Sequence, residues 1–96
     1  MNIENLTALM QYEKIKKNSL YKNEAFEVLL ITIAKDELLK PHTSKTDAFL
    51  TVMQGVLTFT LEGNDTTLHK GNFINFKGNE LHSIKAITDT SILLIK

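Results

Sequence analysis

The stretch Gln54–Asn72, QGVLTFTLEGNDTTLHKGN, decides the fold. Within it Leu57, Phe59 and Leu61 alternate with Val56, Thr58 and Thr60. That two-residue period belongs to a strand with one face in the core and a wetter face opposite. Glu62-Gly63-Asn64-Asp65 reads as a hairpin loop leading into a second strand, Thr66–His69, and Lys70-Gly71-Asn72 turns the chain again. Upstream, Gln54-Gly55 links the strand Val56–Glu62 tightly to another, Ala48–Met53. Links this short predict antiparallel neighbours.

Outward from this stretch the same texture continues. Ala25–Ala34, Asn72–Asn75, His82–Lys85 and Ser91–Ile95 are short β-branched or aromatic runs separated by turn residues, and no segment after Ala25 sustains a helical period. Seven short strands need two sheets or a barrel. The prediction is therefore all-β, an antiparallel β-barrel or jelly roll over about residues 25–95. Ahead of it Ile3, Leu6, Leu9 and Met10 recur at helical spacing, predicting a short helix over about residues 3–12, capped by Asn2 and packed across one side of the barrel. Alternation and bulk put Val28, Leu30, Leu50, Val52, Leu57, Phe59, Leu61, Phe73, Ile84, Leu93 and Ile95 in the core or pocket wall. No repeat or flexible linker divides the chain, so residues 1–96 form one domain.

Composition narrows the function. A chain of 96 residues with 43% hydrophobic and 23% charged residues is an ordinary small globular domain. So small a barrel leaves strand edges and apolar surface that a homodimer would cover. Eleven basic and eleven acidic side chains sum to a net charge of zero, giving no long-range field for nucleic acid. The local excess of Lys14, Lys16, Lys17 and Lys22 reads as solvated surface. The apolar run Phe26–Ala34 is far short of the roughly 20 residues of a membrane-spanning helix, and the first residues lack a basic, then long apolar, secretory pattern. A cytoplasmic protein is expected. The absence of cysteine excludes disulfides, thiolate ligands and a cysteine nucleophile.

Chemistry must then come from His, carboxylate or hydroxyl groups. His42 follows Pro41 at the entry to a strand and His82 opens another, so the two can face each other across a barrel mouth. His69 precedes a turn and reads as surface. No nucleophile elbow, phosphate loop or dinucleotide fingerprint occurs among four glycines.

Pro41-His42-Thr43-Ser44 through Gly55, then Gly71 through His82, resembles the two motifs of the cupin superfamily, over about residues 28–95. In that family the first motif carries Gly, two His, a Glu and a closing Gly. Here His42 and Gly55 match, but Asp36, Ser44 and Ala48 stand at the positions of the leading Gly, the second His and the Glu. In the second motif Gly71 and His82 match, while Lys77, Asn79 and Ala86 replace its Pro, Gly and Asn. The resemblance implies a cupin-like fold with a ligand pocket against His42, Ser44, Ala48, Leu50, Val52, His82 and Ile84.

It also implies a divalent transition metal, Fe, Mn, Zn or Ni, on three imidazoles and a carboxylate. Only His42 and His82 are in register for it. Asp47 lies one place before the Glu position, where alternation points it outward unless a bulge turns it in. Three functions follow: a cupin binding a small molecule beside an incomplete metal site, a metal-dependent oxygenase or isomerase using His42 and His82, or a non-catalytic interaction protein.

Overall fold

The computed structural model of the chain describes all 96 residues. It contains nine strands: β1 (Ile15–Lys22), β2 (Glu27–Ile33), β3 (Leu38–His42), β4 (Ala48–Gln54), β5 (Val56–Leu61), β6 (Asn64–His69), β7 (Phe73–Phe76), β8 (His82–Ala86) and β9 (Thr90–Ile95). They form a five-stranded sheet in the order β1-β2-β9-β4-β7 and a four-stranded sheet in the order β3-β8-β5-β6. Every pairing is antiparallel. The expected all-β jelly roll is present as two facing sheets, and no ladder joins them into a closed cylinder.

One strand, β1, is not expected, and β3 ends at His42, where the sequence places the entry to a strand. β1 is polar and lysine-rich yet pairs with β2 along its length, and β3 contains Pro41, which cannot donate to a ladder. The predicted helix over residues 3–12 is a single 3-10 turn, Leu6–Leu9, capped by the Asn5 side chain rather than Asn2. A ten-residue helix is marginal without a buried face, and Ile3 is exposed. The segment nevertheless crosses the outer face of the larger sheet: the Ser91 hydroxyl donates to Met10 Sδ and accepts from the Tyr12 hydroxyl.

Of the three short links around β5, only one makes a hairpin. Leu61 pairs with Asn64, so Glu62 and Gly63 alone turn the chain, both at positive φ, 49° and 82°. This is the primed-turn geometry that matches strand twist. Gly55 and the Lys70–Asn72 turn instead carry the chain from one sheet to the other, so β4 and β5 are not neighbours. Gly55 has φ +86°, and a Cβ there would strike the Asp89 carbonyl and Thr90. That position requires glycine.

The inner faces contribute Leu29, Ile31 and Ile33 from β2, Leu50 and Val52 from β4, Leu57 and Phe59 from β5, Ile84 from β8 and Ile92 from β9. The phase expected for β2 and β9 is therefore the wrong one. Val28, Leu93 and Ile95 lie half-buried on the outer face, and Phe73 is 66% exposed. Leu30 is fully buried on that outer face, opposite Leu93 and in the same row as Thr32. No helix is long and apolar enough to cross a membrane.

Candidate functional site

The site lies between the sheets, at the end where β2, β4 and β8 begin and β9 finishes. β8 places His82 inward by alternation with Ile84 and Ala86, and the residue is 5% exposed. His42 reaches the same face by a different route. Leu39 pairs with Ile84 and His42 with His82, so three steps along β3 match two along β8. The extra residue is a bulge at Lys40-Pro41, and without it His42 would point away from Leu39's side of the sheet. The bulge also supplies a hydrogen-bond acceptor, because His42 Nδ1 donates to the Lys40 carbonyl at 2.7 Å.

His82 Nδ1 donates in the same way to the Glu80 carbonyl at 2.9 Å. A carbonyl only accepts, so each Nδ1 carries a proton, and in the neutral form of either ring Nε2 keeps a lone pair. Neither Nε2 has a partner in the protein. The two rings meet edge to face at 4.3 Å between centroids, and Phe76 lies 4.6 Å from His82. Burial lowers the His82 pKa below the ordinary histidine value, the Glu80 carbonyl opposes this, and the positive charge of Lys96 adds to the lowering. His82 is therefore uncharged at neutral pH.

Two cavities meet at this ring pair. The outer, about 460 Å³, opens to the surface. The inner, about 60 Å³, lies beneath it among aliphatic side chains. They share Lys17, His42, Phe76, His82, Leu94 and Lys96, which form the neck between them. Ser44 and Ala48 line the outer cavity, and Leu50 and Ile84 the inner one. Val52 lines neither and is packed deeper in the core. His69 is exposed at the end of β6, away from both.

Lys17, Lys96, Phe76 and Leu94 were not expected here. Lys17 looked like solvated surface because β1 shows no apolar alternation. It is exposed, as that reading has it, but it sits opposite Ile31, an inner-face residue, and so borders the mouth of the cavities. Lys96 continues the inner row of Ile92 and Leu94, legible only once the phase of β9 is known.

The donor set does not fit the divalent ion that the family's motifs imply. No three His, Cys, Asp or Glu side chains cluster anywhere in the chain. Ser44 directs its hydroxyl to the Thr46 carbonyl at 3.0 Å, and Ala48 has no donor atom. Asp47 is on the exposed side, accepting from the Gly78 N–H at 2.9 Å and 3.6 Å from Lys77 Nζ, contacts that hold its carboxyl below the usual carboxylate range. Two imidazoles are half of the expected ligands, and the ammonium groups of Lys17 and Lys96 at the same neck oppose a dication.

The family model for the cupin domain matches residues 29–95. No curated protein matches the chain. Among solved structures, an RmlC-like cupin from Desulfovibrio desulfuricans superposes with a TM-score of 0.88 at 18% identity, covering 99% of this chain and 94% of that one. A conserved protein of unknown function, SPY1581 from Streptococcus pyogenes, gives 0.87 at 19% identity, covering 98% and 84%. KdgF from Halomonas sp. gives 0.77 at 19% identity, covering 84% and 76%. Identities this low speak to the fold, and the family match spans most of the nine-stranded architecture. The chain belongs to the cupin domain family.

Proposed function

We propose that this cupin domain binds a small organic molecule between its sheets, with His42 and His82 as hydrogen-bonding anchors rather than as ligands of a metal ion. The ring pair carries this reading. Two imidazoles, each with Nδ1 fixed by a backbone carbonyl and Nε2 open, stand over an apolar cavity. A few fixed polar groups above an apolar floor are what orient a small ligand. Ser44 and Ala48 border its outer part, and Leu50 and Ile84 its floor.

The test is an NMR screen of small polar fragments against the wild type and a His42→Phe/His82→Phe variant. Saturable shifts at Phe76 and Ile84, which line the inner cavity, that vanish in the variant support the reading, and fragments that never perturb these residues overturn it. A metal-dependent oxygenase or isomerase is the competing reading. Stoichiometric Fe, Mn, Zn or Ni in purified protein, lost in a His42→Ala/His82→Ala variant, would put that enzyme in its place.

The homodimer belongs to the same proposal. Phe49 and Phe73 stack at 5.6 Å on the outer face of the larger sheet, and Phe73 is largely exposed, which favours a covering second copy. Light scattering that gives a monomer mass at working concentration would remove it.

A further inference from the structure

The charges at the neck are unbalanced. Lys17, His42, His82 and Lys96 line both cavities, while Glu24 and Glu27 line only the outer one, and no acidic side chain lines the inner one. Neither neck lysine forms an ion pair, since the two ion pairs in the chain are Lys16–Glu13 and Lys77–Asp47. Both lysines are set by backbone pairing. Lys17 lies opposite Ile31, and Lys96 exchanges two backbone hydrogen bonds with Glu27, at 2.7 and 3.1 Å. Both lysines are exposed, so water screens their mutual repulsion, and no acidic side chain pairs with either, which leaves both ammonium groups free for a ligand.

Granting the pocket reading above, we infer that the molecule bound here is a small hydroxy carboxylate. Its carboxylate faces the Lys17 and Lys96 ammonium groups, its hydroxyl donates to an imidazole Nε2, and its apolar end enters the inner cavity. Each part answers a feature of the site. The ammonium groups offer donors and positive charge, which a carboxylate takes up in charge-assisted hydrogen bonds. Nε2 of the uncharged His82 ring is an acceptor, so the ligand must bring the hydrogen. The inner cavity of about 60 Å³ is about two water volumes, at roughly 30 Å³ each, enough for a methyl or ethyl group.

The competing account of the lysines is that their stems cover apolar surface while their ammonium groups reach water. Under that account ligand charge makes no difference, which gives the experiment its contrast. Wild-type protein is titrated with 2-hydroxybutyrate and with its uncharged amide, 2-hydroxybutanamide, and followed by NMR at His82 and Phe76. The acid is expected to bind at least about ten-fold more tightly than the amide. A Lys17→Met/Lys96→Met variant should bring the acid down to the amide's level and leave the amide unchanged.

An amide that binds as tightly as the acid overturns the anion inference and leaves the pocket reading standing. So does a variant that binds the acid like wild type, or acid-induced shifts confined to residues away from the neck. If neither probe nor any neutral fragment perturbs the neck, both readings fall. The acid-against-amide comparison needs only wild-type protein, so it decides the matter even if the double variant does not fold.

Discussion

The two ends of the sandwich are built from the same strands and differ in what alternation delivers to the inner face. At one end Ile33, Leu57, Ala86 and Ile92 are fully buried and the chain is drawn in by Gly55, whose neighbour Val56 accepts from the Thr90 hydroxyl and two backbone N–H groups. At the other end the inner positions of the same sheets become Lys17, His42, His82 and Lys96 around two cavities. Alternation therefore specifies which side a residue faces, and residue type decides whether that side is core or site. The closed end carries stability, and the open end can carry unpaired basic groups because the other supports the fold.

The sharpest way to break this contrast is at Gly55. Gly55→Ala combines a left-handed backbone, costing about 1–2 kcal/mol, with a Cβ driven into the Asp89 carbonyl and Thr90. It should be the most damaging change, read as the urea midpoint. Gly63→Ala, at similar φ but with open space around it, should lose only the backbone part, about 1–2 kcal/mol. Equal losses would mean that the inter-sheet crossing is not tightly packed.

Next come the inner faces themselves. Ile92→Ala at the closed end should cost about 2–5 kcal/mol, whereas Lys17→Met or Lys96→Met at the mouth should stay within about 0.5 kcal/mol. A large loss from either lysine variant would make the mouth part of the stabilising core.

A smaller effect is expected from pH. Because burial lowers the His82 pKa, the unfolded chain binds a proton that the native chain does not, from the ordinary histidine value of about 6.5 downward. Stability should thus fall as pH drops from about 6.5 towards the lowered native pKa and be unaffected by this group above that range. The groups facing His82 are His42 from β3, Lys96 following β9, Lys17 from β1 and the preceding Glu80. A His82→Gln variant should flatten this slope, and an NMR titration with His82 at or above the ordinary value would contradict it.

A change of opposite sign lies on the outer face of the sandwich. Thr32 Oγ1 is buried on the outer face of β2 without a hydrogen-bond partner. Thr32→Val removes that cost and should stabilise by about 1 kcal/mol in urea unfolding. A loss of stability would mean that the hydroxyl is satisfied in solution.

Legibility in the sequence followed the same division. β5 alternates apolar with polar residues, and its inner face, Leu57 and Phe59, is read correctly from that pattern. β2 and β9 are apolar on successive residues because the N-terminal segment crosses their outer face, so the pattern holds no phase. The Gly55 link looked like a hairpin because a short connection does not reveal whether the next strand pairs or crosses to another sheet. At the site, His42 and His82 stood out by motif spacing, while Lys17 and Lys96 carried no local signal.

By itself the sequence determined the all-β class, the family, the tight turn at Gly63 and the two histidines, because period, turn chemistry and motif spacing are properties of neighbouring residues. Only the tertiary structure decided that His42 faces His82, since a bulge at Lys40-Pro41 shifts the register by one residue. The placement of Lys17 and Lys96 at the mouth was likewise decided there, because the side a strand residue faces depends on its partner across the ladder and on what covers the far side of the sheet.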